Sequence, residues 1–213
     1  MASAFITFEG IDGCGKSTQL RMLAGELRVR GHEVVTTREP GGTSLGMRLR
    51  EALLDAEQQV DPLAELLLYA ADRAQHVRAL VKPALESGHI VLSDRYADAT
   101  VAYQGGGRGF PPLLISEVIA LATDGLQPNL TLLFDVPVEE GRRRASQRMH
   151  KDGEANDRLD LEDPAFHRRV REAYLRIADA EPERVRVVDS RASVEETHAA
   201  VMKVVTSSLN LRF

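Results

Sequence analysis

Gly10-Ile11-Asp12-Gly13-Cys14-Gly15-Lys16-Ser17, followed by Thr18, fits the pattern G-x-x-x-x-G-K-[ST]. Glycines at these places let backbone N–H groups turn inward on phosphate. The lysine can reach the β and γ oxygens, and the serine hydroxyl can ligate Mg²⁺. The pattern carries meaning only between a strand and a helix, and both flanks are present. Ala4 to Phe8 is a short apolar, β-branched run, and Leu20, Leu23 and Leu27 recur at helical spacing. Together they predict a nucleoside triphosphate site with Mg²⁺.

Two aspartates follow short apolar runs, Asp94 after Ile90–Ser93 and Asp135 after Leu130–Phe134. A carboxylate at a strand end is where the metal-directing acid of a phosphate-binding loop belongs. Asp94 is favoured because Arg95 follows it and supplies a cation to the same crevice, whereas Asp135 reads as the N-cap of the helix opening at PVEEG. Arg38, after the second strand, and Arg95 can grip one phosphate between them. Arg73 lies inside a helix beside Asp72 and, on residues alone, reads as a surface ion pair. Cys14, between two glycines at a helix N-terminus and next to Lys16, is open to two readings: a thiol of lowered pKa, or a small residue filling the loop.

These side chains need a scaffold that brings strand ends together. Besides Ala4–Phe8, strands are expected at His32–Thr37, Ile90–Ser93, Leu130–Phe134 and Val185–Val188. Helices are expected after the glycine loop and over Leu45–Leu54, Pro62–Glu86 with Asp61 as N-cap, Asp163–Ala180, and the C-terminal stretch that Ser193 would cap. The alternation predicts an α/β fold, a doubly wound five-stranded parallel sheet with ligands at the carboxyl ends of the strands. Arg142, Arg143, Arg144, Arg148 and Lys151 crowd a helix end that runs into HKDGEAND. In isolation that run is a solvated surface and a loop, but beside a phosphate site it is a source of cations.

With 213 residues, 43% hydrophobic and 28% charged, the chain is expected to fold as one domain. A formal charge of −5 argues against a general grip on nucleic acid. One cysteine permits no internal disulfide. No signal-like N-terminus and no membrane-length apolar run occur, so a soluble, cytoplasmic protein is expected. A guanine-nucleotide switch should carry N-K-x-D, which is missing, and D-x-x-G occurs only inside the loop itself. An enzyme with a second, anionic substrate is the expectation.

In order along the chain stand FEGIDGCGKST (Phe8 to Thr18), TREPGGT (Thr37 to Thr43), LLLYAADRAQH (Leu66 to His76), LSDRYADATVAYQGGGRG (Leu92 to Gly109) and NDRLDLED (Asn156 to Asp163). In these blocks the sequence resembles the thymidylate kinase family. The resemblance implies a P-loop kinase that moves the γ-phosphoryl group of ATP, with Mg²⁺, to dTMP. A deoxynucleoside kinase is the enzymatic alternative, and a non-catalytic nucleotide switch a distant one.

The family match implies that Arg38 and Arg95 hold the dTMP phosphate and that Tyr69, where phenylalanine is commoner, stacks on thymine. It implies that Arg73 reads a base carbonyl, that Thr100 and Gln104 meet the pyrimidine edge, and that Tyr103 sits against the sugar. Asp12 would lie near acceptor and metal, with Ser17 and Asp94 as the metal side. Some members carry an arginine just after this aspartate; here that position is Gly13. The transition-state charge would then come from a lid at about 142–160, with Arg148 first and Arg144, also assigned to ATP, second. Lys16 and Arg95 complete the catalytic set, Asp157, Arg158 and Asp160 mark the lid's far hinge, and a homodimer is implied without an identifiable interface.

Overall fold

A computed structural model describes residues 3–152 and 157–209, with side chains at 148–152 left out. Five parallel strands form one sheet: β1 (Ala4–Glu9), β2 (Val34–Arg38), β3 (Ile90–Asp94), β4 (Leu130–Asp135) and β5 (Val185–Asp189), in the order β2-β3-β1-β4-β5. The three central strands, β1, β3 and β4, are apolar and covered on both faces, the condition under which parallel pairing is stable, while the flanking β2 and β5 are more exposed. Alternate residues of β1 serve different sides. Ala4, Ile6 and Phe8 join Leu20, Leu23 and Leu27 of α1 (Lys16–Val29) in one core cluster, while Phe5 packs with Val77, Val81, Val91 and Tyr96 in another.

Register decides where chemistry can occur. Phe8 is level with Asp94, Asp94 with Arg38, and Asp135 with Asp189, and β1 pairs with β4, so the carboxyl ends of all five strands reach one edge. Capping fixes the helices that follow. Thr43 accepts from Gly46 N at 3.0 Å to open α2 (Ser44–Leu54), and Asp61 accepts from Leu63 N at 2.8 Å to open α3 (Pro62–His76). The expected helix through Glu86 is continuous but not uniform: α3 widens into a π-helical stretch, Val77–Val81, before α4 (Lys82–Glu86). At the far end Asp163 caps α8 (Pro164–Ala180). Ser193 with Glu196 forms a reciprocal capping box on α9 (Val194–Ser208).

The region between β3 and β4 holds helices that the pattern did not announce: α5 (Ala97–Thr100), a π-helical stretch Val101–Gly107, and α6 (Pro112–Thr123). Its run Gly105-Gly106-Gly107 suggests a loop, yet packing overrides propensity here. A Cβ on Gly106 would lie 2.5 Å from the Ala173 Cβ, so the wide turn presses directly on α8. Between β4 and β5, α7 (Val138–Asp152) precedes α8. No helix among the described residues is long and apolar enough to cross a membrane.

Candidate active site

The glycine loop joins β1 to α1 as expected, and α1 begins at Lys16 itself. Lys16 is buried and its Nζ donates to the carbonyls of Gly10 and Ile11, both at 3.0 Å, curling across the loop. Ser17 Oγ donates to Asp94 Oδ2 at 2.5 Å. A hydroxyl and a carboxylate at a helix N-terminus are hard oxygen donors that suit Mg²⁺, which takes the rest of its shell from phosphate and water. Among the described residues no group of three or more His, Cys, Asp or Glu is placed to hold a metal. The Cys14 thiol is buried, and burial pushes its pKa up although the Lys16 charge opposes the shift. The structure thus favours the packing reading of Cys14 over the reactive one.

Arg95 is the residue where loop and pocket meet. Its backbone is left-handed, φ 73°, a conformation that costs a residue with Cβ about 1–2 kcal/mol. Its N–H donates to Phe8 O at 3.0 Å and its carbonyl accepts from Ser93 Oγ at 2.8 Å, which hold it there. The guanidinium donates to both oxygens of Asp12, at 2.9 and 3.0 Å, to Tyr103 Oη at 3.0 Å and to Tyr174 Oη at 3.4 Å. Burial would raise the Asp12 pKa. The charges of Arg95 and Lys16, with hydrogen bonds from Arg95 and Tyr103, outweigh it and hold the carboxyl below the usual range. Tyr174 in turn donates to Glu9 Oε2 at 2.7 Å. Burial, helped by the Asp98 charge, pushes Glu9 up to about 8.

Beside this node lies a pocket lined by Asp12, Arg50, Tyr69, Arg73, Thr100 and Gln104, with Arg95, Tyr103 and Asp157 also at its wall. The surface pairing of Arg73 with Asp72 is corrected. Arg73 is 2% exposed and its Nε donates to Glu39 Oε2 at 2.8 Å, its Nη1 to Thr100 Oγ1 at 2.7 Å and its Nη2 to Tyr96 O at 2.8 Å. Glu39 also meets His76 Nδ1 at 2.8 Å, and His76 Nε2 reaches Thr37 Oγ1 at 2.7 Å. Asp72 instead accepts from Gly41 N at 3.1 Å. Its pKa is pushed up to about 6, by burial first and then by the Glu39 charge.

Arg38 is exposed and outside that lining, although its charge, after burial, helps lower the pKa of Arg50. Arg50 belongs to no motif in the sequence. The available signal was helical spacing, since Gly46, Arg50 and Leu53 share one face of α2 and the other two are buried. Glu39 was legible only as the middle of a block, and Tyr174 only as part of the buried stripe of α8.

On α7 the outcome is mixed. Arg144 donates to Glu140 Oε1 at 2.7 Å and to Ser190 O at 2.8 Å, tying the helix to the end of β5. The side chain of Arg148 lies outside the described residues, as does Asn156. Asp135 is not an N-cap, because Arg171 of α8 donates to both its oxygens, at 2.6 and 2.8 Å, and α7 starts three positions later. Gly13 faces α7 at very short range. A Cβ there would lie 2.0 Å from Gly141 O, and a Cβ on Gly141 would lie 2.8 Å from Asp12 O.

A parallel β2-β3-β1-β4-β5 sheet with this loop after β1 and a basic crevice beside it defines a P-loop nucleotide-binding protein of the kinase class. The thymidylate kinase family model matches residues 8–201, and the chain belongs to that family. It is 51% identical over 207 residues to the thymidylate kinase of Geotalea uraniireducens, covering 96% of this chain and 97% of that one. To that of Deinococcus radiodurans it is 48% identical over 202 residues, covering 95% and 96%. The crystal structure of thymidylate kinase from Ehrlichia chaffeensis superposes with a TM-score of 0.77 at 36% identity, over 96% of this chain and 100% of that one.

Proposed function

We propose that this chain transfers the γ-phosphoryl group of ATP to dTMP, giving ADP and dTDP. The observation that carries the reading is the position of Arg95, bonded to Asp12 of the glycine loop and standing 4.8 Å over the Tyr103 ring in the adjoining pocket. One cation therefore borders both the donor cradle and the acceptor pocket.

In this reading the loop amides and Lys16 hold the ATP phosphates, with Thr18 in the first turn of the helix behind them. Ser17 and Asp94 would hold Mg²⁺, which neutralises phosphate charge when bound. Arg38, Arg50 and Arg95 place the dTMP phosphate so that one of its oxygens attacks the γ-phosphorus in line with the departing ADP. Tyr69 stacks on the base, Arg73, Thr100 and Gln104 face its edge, and Tyr103 sits against the sugar. No covalent enzyme intermediate is required. A lid at about 142–160 excludes water and brings Arg148, with Arg144 behind it, to the transferring group.

The whole chain acts as one domain, in the cytoplasm, and as a homodimer. Dimerisation is supported by exposed apolar residues on neighbouring helices: Leu45 and Met47 of α2, Leu63 and Leu67 of α3, Leu113 and Leu121 of α6. Sedimentation of Leu67→Glu should then show a monomer.

Coupled ADP release with ATP and Mg²⁺, comparing dTMP, dUMP, thymidine and no acceptor, tests the reaction. Strong preference for dTMP is expected. Turnover with thymidine and not with dTMP would move the assignment to a nucleoside kinase.

A further inference from the structure

Glu65 lies on α3 one helical turn before Tyr69 and is fully buried. Its carboxyl group collects donors from three directions. Gln104 Nε2 reaches Oε1 at 2.8 Å, Arg108 donates Nε to Oε1 at 3.2 Å and Nη2 to Oε2 at 2.9 Å, and Arg158 Nη2 reaches Oε2 at 2.6 Å. Burial opposes its ionisation. The hydrogen bonds from Arg108, Gln104 and Arg158 and the Arg108 charge overcome that, and the group stays ionised at neutral pH.

An ionised carboxylate is acceptor-only, so the Gln104 amide has one orientation that satisfies the pair, NH₂ toward Glu65. The carbonyl end is then what Gln104 offers as it lines the acceptor pocket. The opposite flip would set two oxygens against each other in a buried position. The neighbouring Arg73 cannot take over this role, because a guanidinium carries only donors and offers no acceptor to a ring N–H.

We propose that Glu65 is a specificity-determining positioning residue, which fixes the Gln104 amide so that the pocket accepts pyrimidine diones, whose ring N3–H donates, and rejects aminopyrimidines, whose N3 is an acceptor. The proposal rests on the acceptor assignment above. It deepens it by naming what sets the polarity of the base-reading group. A site built around a hydrogen bond discriminates strongly, because the wrong ligand leaves buried polar groups unpaired.

The test compares kcat/KM for dTMP, dUMP and dCMP in the wild type, in Glu65→Gln, and in the exchanged pair Glu65→Gln/Gln104→Glu. A neutral amide at 65 pairs with either end of Gln104, so the dTMP-to-dCMP ratio should fall at least about tenfold, mainly through KM. The exchange restores a carboxylate oxygen toward the base and should restore most of the ratio. An unchanged ratio in a folded Glu65→Gln enzyme overturns the proposal. Should that variant not fold, the exchanged pair decides: a dTMP-to-dCMP ratio near that of the wild type supports the proposal, and one at least about tenfold lower overturns it. No dTMP-dependent ADP release in the wild type would overturn the acceptor assignment itself. Normal dTMP turnover with an unchanged ratio defeats the role of Glu65 alone.

Discussion

The two halves of the crevice are built by different means. The glycine loop is made mostly of backbone, a run of amides at the start of α1 with Lys16 folded across it and Ser17 on Asp94. The pocket beside it is made of side chains from separate elements, cross-linked by buried charge: Glu39 to Arg73 and His76, and Glu65 to Gln104, Arg108 and Arg158. A phosphate is nearly spherical, and amides that follow one local turn can surround it. A base has a patterned edge, so the groups reading it must be held from outside, at the cost of buried ion pairs that become liabilities when one partner is lost. In the proposed reading, donor recognition is therefore local in sequence, and acceptor recognition is long-range.

That contrast can be broken in four places. Lys16→Met should cut turnover by about 10³-fold or more while the melting temperature stays within about 5 °C of wild type; a loss under tenfold would remove the lysine from the donor site. Glu39→Gln should damage fold and binding together. We expect a loss of about 3 kcal/mol, seen as a fall of roughly 6–12 °C in melting temperature, with a raised KM for dTMP. A fall of less than about 2 °C would mean the buried pair is not what holds the pocket. Arg50→Ala should raise KM for dTMP about tenfold and leave that for ATP within about twofold. Equal effects on both substrates would erase the division between the halves.

The smallest effect concerns Asp72, whose pKa is raised from 3.8 to about 6. A carboxyl raised in the folded state binds its proton more tightly there than in the unfolded chain. The stability this contributes is complete below about 3.8, is lost as pH climbs to about 6, and changes little above. Asp72→Asn does not titrate. Its melting temperature should therefore gain on the wild type by about 3 °C between pH 4.5 and 7, and a pH-independent difference would refute the shift.

How much was legible in the sequence follows the same division. The loop, the strands and the Ser17–Asp94 contact come from short-range signals: a motif, apolar runs and an acid at a strand end. The helices between β3 and β4 were not announced, since three successive glycines mimic a loop until Ala173 and Phe166 are set against them. Arg73 looked like a partner for its neighbour Asp72, whereas its partner is Glu39, 34 positions away. Asp135 looked like a cap because nothing local reveals Arg171 on the next helix, 36 positions on. Charge pairing between elements is set by topology, and it stays hidden until the sheet order is known.

The close approach of Gly13 to Gly141 bears on how such enzymes can diverge. The loop's spare position and the first turn of α7 compete for a single volume, and Gly13 is left-handed at φ 76° besides. An arginine at 13 and an α7 seated as it is here are mutually exclusive. If the transition-state cation is carried by α7, as proposed, relocating it to the loop requires at least two coordinated changes. A lineage taking them singly would cross a stage in which either the helix is unseated or the cation is missing, a barrier to stepwise evolution that no stability measurement on the present chain would reveal.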